Sequence, residues 1–311
     1  MKLTSLPLPL VIAFIANGLA YSFFVITLPI IGREIQFSDT NTSIILGLSA
    51  LVLTIASPIW GRLCDRFGRR RVIFISMLAA CVCLISSALL IYLRRTELLI
   101  VSNGFNLLLS VRLINAFFTA GLKPGGQAYV ADSTSESDRA KGMGIMGAAF
   151  GIGSVIAGIV AMLSGSEYIM YAYAGIAFVV LLSCFFVFLS LPETYNIANV
   201  KADLSTENIP FLRIVPFLVI TLVALCVFSL LQHITSLTLQ DKFGLVTDKA
   251  IRVGGMTMML TMVAMIATQL IVVRKLNISP VKLMGFIFHS EFSTENSSTH
   301  IHRPVPVDLR G

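Results

Sequence analysis

Apolar residues in this chain come in blocks of about twenty or more, separated by short polar or charged clusters. The blocks fall at 8–32, 42–61, 72–93, 104–131, 143–164, 168–191, 211–239 and 253–273. A helix of about 20 residues covers the roughly 30 Å of hydrocarbon in a bilayer, so each block predicts one membrane-crossing helix. Helix is the required form, because lipid offers no partner for an open backbone, and the ten-residue alternation of a membrane barrel is absent. The expected fold class is therefore all-α: a polytopic transmembrane helix bundle. The first block contains Pro29 and has no small-residue cleavage site before the next, so it reads as a retained helix and not a secretory signal.

The spacing of the blocks suggests four regions. Residues 1–191 hold six helices, 192–210 form a polar linker that begins Leu191-Pro192-Glu193-Thr194, 211–284 hold two more helices, and 285–311 are a polar tail with no apolar run. The tail composition cannot span a membrane and reads as disordered.

Composition agrees with a lipid-embedded chain: 56% of residues are hydrophobic and 13% are charged, where a soluble domain carries about 25% charged residues. The formal charge of +7 does not point to nucleic acid, since the basic residues sit between apolar spans and are not interleaved with aromatics. They point to orientation. With the amino terminus in the cytoplasm, inner segments carry thirteen Lys and Arg against six outside, as the positive-inside rule expects. The five cysteines, Cys64, Cys81, Cys83, Cys184 and Cys226, lie in or beside apolar spans with no metal or disulfide spacing. No phosphate-cradling G-x-x-x-x-G-K-[ST] appears, so no ATP site is expected. Nor is there a nucleophile elbow, paired-carboxylate site or metal-ligand spacing, so neither an enzyme nor a cofactor is implied. All sixteen acidic residues fall in loops, at helix ends or in the tail.

The most specific segment joins the second and third blocks: Gly61-Arg62-Leu63-Cys64-Asp65-Arg66-Phe67-Gly68-Arg69-Arg70-Arg71. Gly61 would let helix ends approach closely, and Gly68 permits a turn conformation closed to other residues. Asp65 could meet the positive end of a neighbouring helix. The stretch resembles the signature loop of the major facilitator superfamily, G-x-L-x-D-R-x-G-R-R, at Gly61, Leu63, Asp65, Arg66, Gly68, Arg69 and Arg70. The resemblance implies two six-helix halves working by alternating access, with this loop latching them together in the outward-facing state.

A second region, from Arg112 to Ala116 and on through Pro124 to Asp132, is similar to the fourth helix of drug and siderophore exporters of that superfamily. There the carboxylate matched by Asp132 pairs with a signature-loop arginine, here Arg69; the lesser alternative, on its residue type alone, is a helix-end cap facing solvent. The arginine matched by Arg112 faces the central cavity and assists proton coupling. Lys123 follows eleven residues later, on nearly the same face of an unbroken helix. Asn115, Gln127 and His233 would add polar groups to an apolar cavity, or else make interhelical hydrogen bonds; Asn17, Tyr21, Gln232 and Gln269 are weaker candidates.

The fifth block carries Gly147, Gly151, Gly153 and Gly158, which suit close helix packing and also resemble the exporters' antiporter signature. Ala157-Gly158 stands where that signature has Gly-Pro. The resemblance thus implies a secondary exporter of a small amphipathic molecule, a drug or siderophore, driven by protons and resident in a cell membrane, a bacterial inner membrane on this reading. Two alternatives stay open: an uptake carrier of the same fold for a sugar, peptide or organic anion, and a non-transporting remnant or partner-binding fragment. Only two helices of the second half are recognisable, so the sequence reads as truncated after the eighth.

Overall fold

The computed structural model describes residues 6–98, 100–135, 138–194, 238 and 240–275. Among them the chain is helical, with no strand. The helices are α1 (Leu8–Glu34), α2 (Asp39–Phe67), α3 (Arg69–Arg95), α4 (Val101–Thr119), α5 (Leu122–Ser133), α6 (Arg139–Ser164), α7 (Ile169–Ser190) and α8 (Thr247–Lys275). Among the described residues seven stretches are long and apolar enough to cross a membrane, α4 and α5 together forming one of them. Most of the expected span over 211–239, most of the linker and the whole tail lie outside the described residues. Contacts gather the chain up to Ile266 into one compact unit and set Ala267–Gly311 apart as a second.

Within the first unit α1 is the central helix. It packs most extensively on α6 and also on α7, while α3 packs on α7 and α4, and α2 packs on α4. Phe23, Phe24, Ile30 and Ile31 of α1 are buried. The ring of Tyr173 from α7 meets Phe23 edge-on at 4.9 Å, and its hydroxyl lies 2.7 Å from that of Thr27. Such a pairing satisfies a phenol that lipid could not.

Glycines set the α1–α6 approach. A Cβ on Gly18 would run into the carbonyl of Phe150, and one on Gly153 would strike the backbone of Ile15 and Leu19. Beside this crossing the Ser22 hydroxyl donates to Ser154 at 2.7 Å. Gly158 and Gly255 make a second contact of the same kind between α6 and α8, where a Cβ on either would lie 2.5 Å from the other's carbonyl oxygen. In a bilayer the hydrophobic effect does not drive helices together, so close backbone approach through small residues takes over that role. Gly151 contributes as well, its missing Cβ lying 2.9 Å from Ile266, whereas Gly147 is only half-buried. Gly61 departs from expectation. A Cβ there would meet nothing within 4 Å, so no close approach among the described residues depends on it.

The fourth apolar block is one span but two helices. Pro124 brings no N–H and its ring excludes a regular turn ahead of it, and the chain breaks at Ala120 and Gly121. Two carbonyls at the break find side-chain donors: the Trp60 indole gives its N–H to Phe117 O at 2.6 Å and Ser76 its hydroxyl to Phe118 O at 2.8 Å.

At one end of the bundle arginines tie helix termini together. Arg33 bridges Asp39 at 2.6 Å and Asp241 at 2.7 Å. Arg95 bridges Glu34 at 2.7 Å and donates to Ser166 O. Arg252 pairs with Asp248 at 2.8 Å and reaches Met162 O. Three of the six basic residues expected outside, Arg33, Arg95 and Arg252, thus share one end with acidic partners.

Two outcomes follow. Gly153→Leu forces backbone against backbone and should lower thermal stability in detergent at the upper end of the roughly 1–3 kcal/mol typical of overpacking, whereas Gly61→Ala should leave it unchanged. The hydrogen bond from Arg33 holds the Asp241 carboxyl below its usual range. A depressed carboxyl contributes stability above the unfolded pKa of about 4 and loses it as pH falls through the lower folded value. Spin-label distances between positions 36 and 243 should therefore be constant from neutrality down to about pH 4 and broaden below it.

Candidate functional site

The end of the bundle opposite Arg33 is organised by Arg69, the first residue of α3, whose side chain is 8% exposed. Its Nε donates to Asp132 Oδ2 at 2.8 Å, its Nη2 lies 3.0 Å from Asp65 Oδ1, and its Nη1 donates to Cys64 O at 2.9 Å. One guanidinium therefore joins α2, α3 and α5. The planar fork suits this task because its donors diverge in fixed directions, one toward each acceptor.

The same residue uses its backbone to recruit α7. The amide of Arg69 donates to Glu193 Oε1 at 2.9 Å, and the amide of Arg70 to Oε2 at 3.2 Å. These are α3's first amides, which have no partner inside their own helix, and the positive end of the helix favours the carboxylate. Gly68 makes room for it. Its φ of +92° excludes other residues, and a Cβ there would lie 2.7 Å from Glu193 Oε2. Arg70 completes the clamp, donating to Phe188 O and resting 5.1 Å above the Phe188 ring.

Asp65 thus pairs with Arg69 one turn on, and it is Glu193 that occupies the helix end. Sequence reasoning missed Glu193; its signal was the Leu-Pro-Glu-Thr ending of the sixth block, where Pro192 ends the helix and leaves Glu193 free to turn back. Arg66 is exposed and rests 5.6 Å from the Phe67 ring.

The interior candidate is Arg112 on α4, 9% exposed. Its Nη1 donates to Asn115 Oδ1 at 3.2 Å and approaches Cys83 Sγ at 3.5 Å, and its guanidinium lies 3.7 Å from the centre of the Phe24 ring. Asn115 also donates to Ala79 O at 3.0 Å. The Arg112 Nε has no hydrogen-bond partner among the described residues. Every acidic residue among them lies at or near a helix end, so none is a counter-ion at mid-span. Lys123 and Gln127 do not join this group; both are exposed on α5, beyond Ala120 and Gly121. His233 lies outside the described residues.

A bundle of apolar helices with a charged clamp at one end and a buried cation at mid-depth defines a multi-pass membrane protein with a polar interior. Residues 10–290 match the Major Facilitator Superfamily, and the chain belongs to that superfamily of transporters. It is 33% identical over 157 residues to the Multidrug resistance protein 1 of Bacillus subtilis (strain 168), a match covering 50% of this chain and 36% of that protein. It is 32% identical over 142 residues to the Tetracycline resistance protein, class C, of Escherichia coli, covering 45% and 33%. It is 30% identical over 157 residues to the Staphyloferrin B transporter of Staphylococcus aureus (strain NCTC 8325 / PS 47), covering 49% and 34%. The matched stretch spans about a third of the length of each of these relatives.

Gly68→Ala should destabilise by about 1–3 kcal/mol, since it strains the backbone and displaces Glu193 together. In a double-mutant cycle with Glu193→Gln, read by thermal unfolding in detergent, the two losses should be sub-additive. Strict additivity would mean that glycine and carboxylate act apart.

Proposed function

We propose that the chain is a secondary carrier that moves a small amphipathic molecule out of the cell, with protons moving inward in exchange. The observation that carries the reading is the Gly68–Arg69 clamp in a chain whose relatives are named for multidrug resistance, tetracycline resistance and staphyloferrin B transport. The basic end of the bundle, holding Arg62 through Arg71, faces the cytoplasm, as does the amino terminus, in a bacterial inner membrane. The clamp then acts as a latch within the first six-helix half, not between the two halves as the signature-loop resemblance implies. Arg69, Asp65, Asp132 and Glu193 hold α2, α3, α5 and α7 together at that end, so that this half moves as one body in alternating access.

Arg112 is the residue for coupling. A guanidinium at that depth biases what binds beside it. A proton or a bound anion that changes the local charge alters the stability of the state in which Arg112 is least solvated. No carboxylate lies at mid-span among the described residues, so the exchanged proton needs another carrier, and the candidates are His233, which lies outside them, and Asp132 at the clamp.

Proteoliposomes of the full chain test this. An imposed pH gradient should drive tetracycline or an ethidium-like dye against its concentration gradient, and Arg112→Gln should reduce the rate by about two orders of magnitude while Arg112→Lys retains part of it. Movement indifferent to the pH gradient would reject proton exchange, and unchanged movement in Arg112→Gln would reject the assigned role.

A further inference from the structure

Next to the clamp, and sharing Gly68, Arg70 and Glu193 with it, lies a pocket of about 440 Å³. Arg66, Arg70 and Arg71 line it together with Phe67, Phe74 and Phe188. Glu193 also borders it, but both of its oxygens already accept from the first amides of α3. Arg66 and Arg71 have no carboxylate partner among the described residues, so the pocket keeps an excess of positive charge.

What lies below the pocket identifies the ligand. From Arg71 the exposed face of α3 continues as Ile75, Leu78, Val82, Ile85 and Leu89, one helical stripe. On α7, packed against α3, Phe188, Phe185, Leu182 and Phe178 are exposed in the same way. A cationic pocket at the end of the bundle thus opens onto an apolar seam that runs toward mid-membrane. Soluble anions have no use for the seam, and neutral hydrocarbon has none for the arginines.

We infer that this pocket is a binding site for an anionic phospholipid, with the headgroup phosphate held by Arg66, Arg70 and Arg71 and the acyl chains lying along the α3–α7 seam. Phe74 and Phe188, with ring centroids 5.0 Å apart, give the pocket an apolar side beside the arginines. Because Arg70 also touches Phe188, and its amide holds Glu193, a bound lipid adds to the clamp from the membrane side. The inference rests on the proposed placement of this end at the cytoplasmic leaflet for its biological setting, but binding itself is measured in detergent without reference to orientation. Its failure would leave the transport reading standing, and the reverse also holds.

Native mass spectrometry of the purified full chain, titrated with phosphatidylglycerol, phosphatidylcholine or inorganic phosphate, tests it. Phosphatidylglycerol should be retained in preference to phosphatidylcholine, and inorganic phosphate should not displace it. Arg66→Gln with Arg71→Gln should weaken retention roughly thirty-fold, about five-fold for each juxtamembrane arginine, whereas Arg62→Gln with Arg139→Gln, an equal loss of charge outside the pocket, should not. Equal retention of the two lipids, displacement by inorganic phosphate, or equal weakening by both double variants would overturn the site. Should the first double variant not fold, a photoactivatable phosphatidylglycerol on the unaltered chain decides: labelling at 66–74 and 185–188 supports the site, and labelling elsewhere overturns it.

Discussion

Everything at the basic end of this bundle depends on one buried guanidinium having all its partners. Removing a charge from water is costly, and Arg69 at 8% exposure is tolerated because two carboxylates and a carbonyl answer its three nitrogens. The requirement runs in both directions. Asp65, Asp132 and the Cys64 carbonyl come from different places in the chain, so an arginine that needs all three fixes where α2 and α5 end relative to α3. Glu193 extends the constraint to α7 through the backbone of the same residue. A structure held by such a multi-partner ionic node tends to be bistable, because a partly satisfied node is worse than either a complete or a fully solvated one.

The bundle is charged at its two ends and nearly neutral between them. The Arg33 end is a set of paired termini and the Arg69 end a single node, while Arg112 and Lys123 lie near the middle of a span and, of the two, Arg112 is the buried one. Glycine contacts at Gly18 with Gly153 and at Gly158 with Gly255 let α1, α6 and α8 touch backbone to backbone around that interior. Contacts of this kind hold helices at the closest approach that backbone atoms allow.

Much of this was legible in the residues themselves. Apolar block length gave the helices, because hydrocarbon thickness leaves few choices, and the observed spans differ from the expected ones mainly at their ends. Gly68 was legible because a glycine between two long apolar blocks in an arginine-rich loop has few other uses. Three features were not. The role of Glu193 depends on a chain reversal after Pro192 that brings it back to a helix over a hundred residues earlier in sequence. Helical spacing puts Lys123 on nearly the face of Arg112, yet Lys123 is exposed and Arg112 buried, and the irregular hydrogen bonding at Ala120 and Gly121 that lies between them leaves no mark on residue spacing. Gly61 belongs to the signature loop, but its open surroundings could be learned only from its neighbours in space.

The direct measurement of the central claim is residue-resolved hydrogen exchange at the amides of Arg69 and Arg70. Helix-opening amides lack intrahelical partners and exchange quickly as a rule. If Glu193 holds them as described, both should be protected in the unaltered chain and lose protection in Glu193→Ala while the interior of α3 stays protected. Rapid exchange at both positions in the unaltered chain would contradict the account.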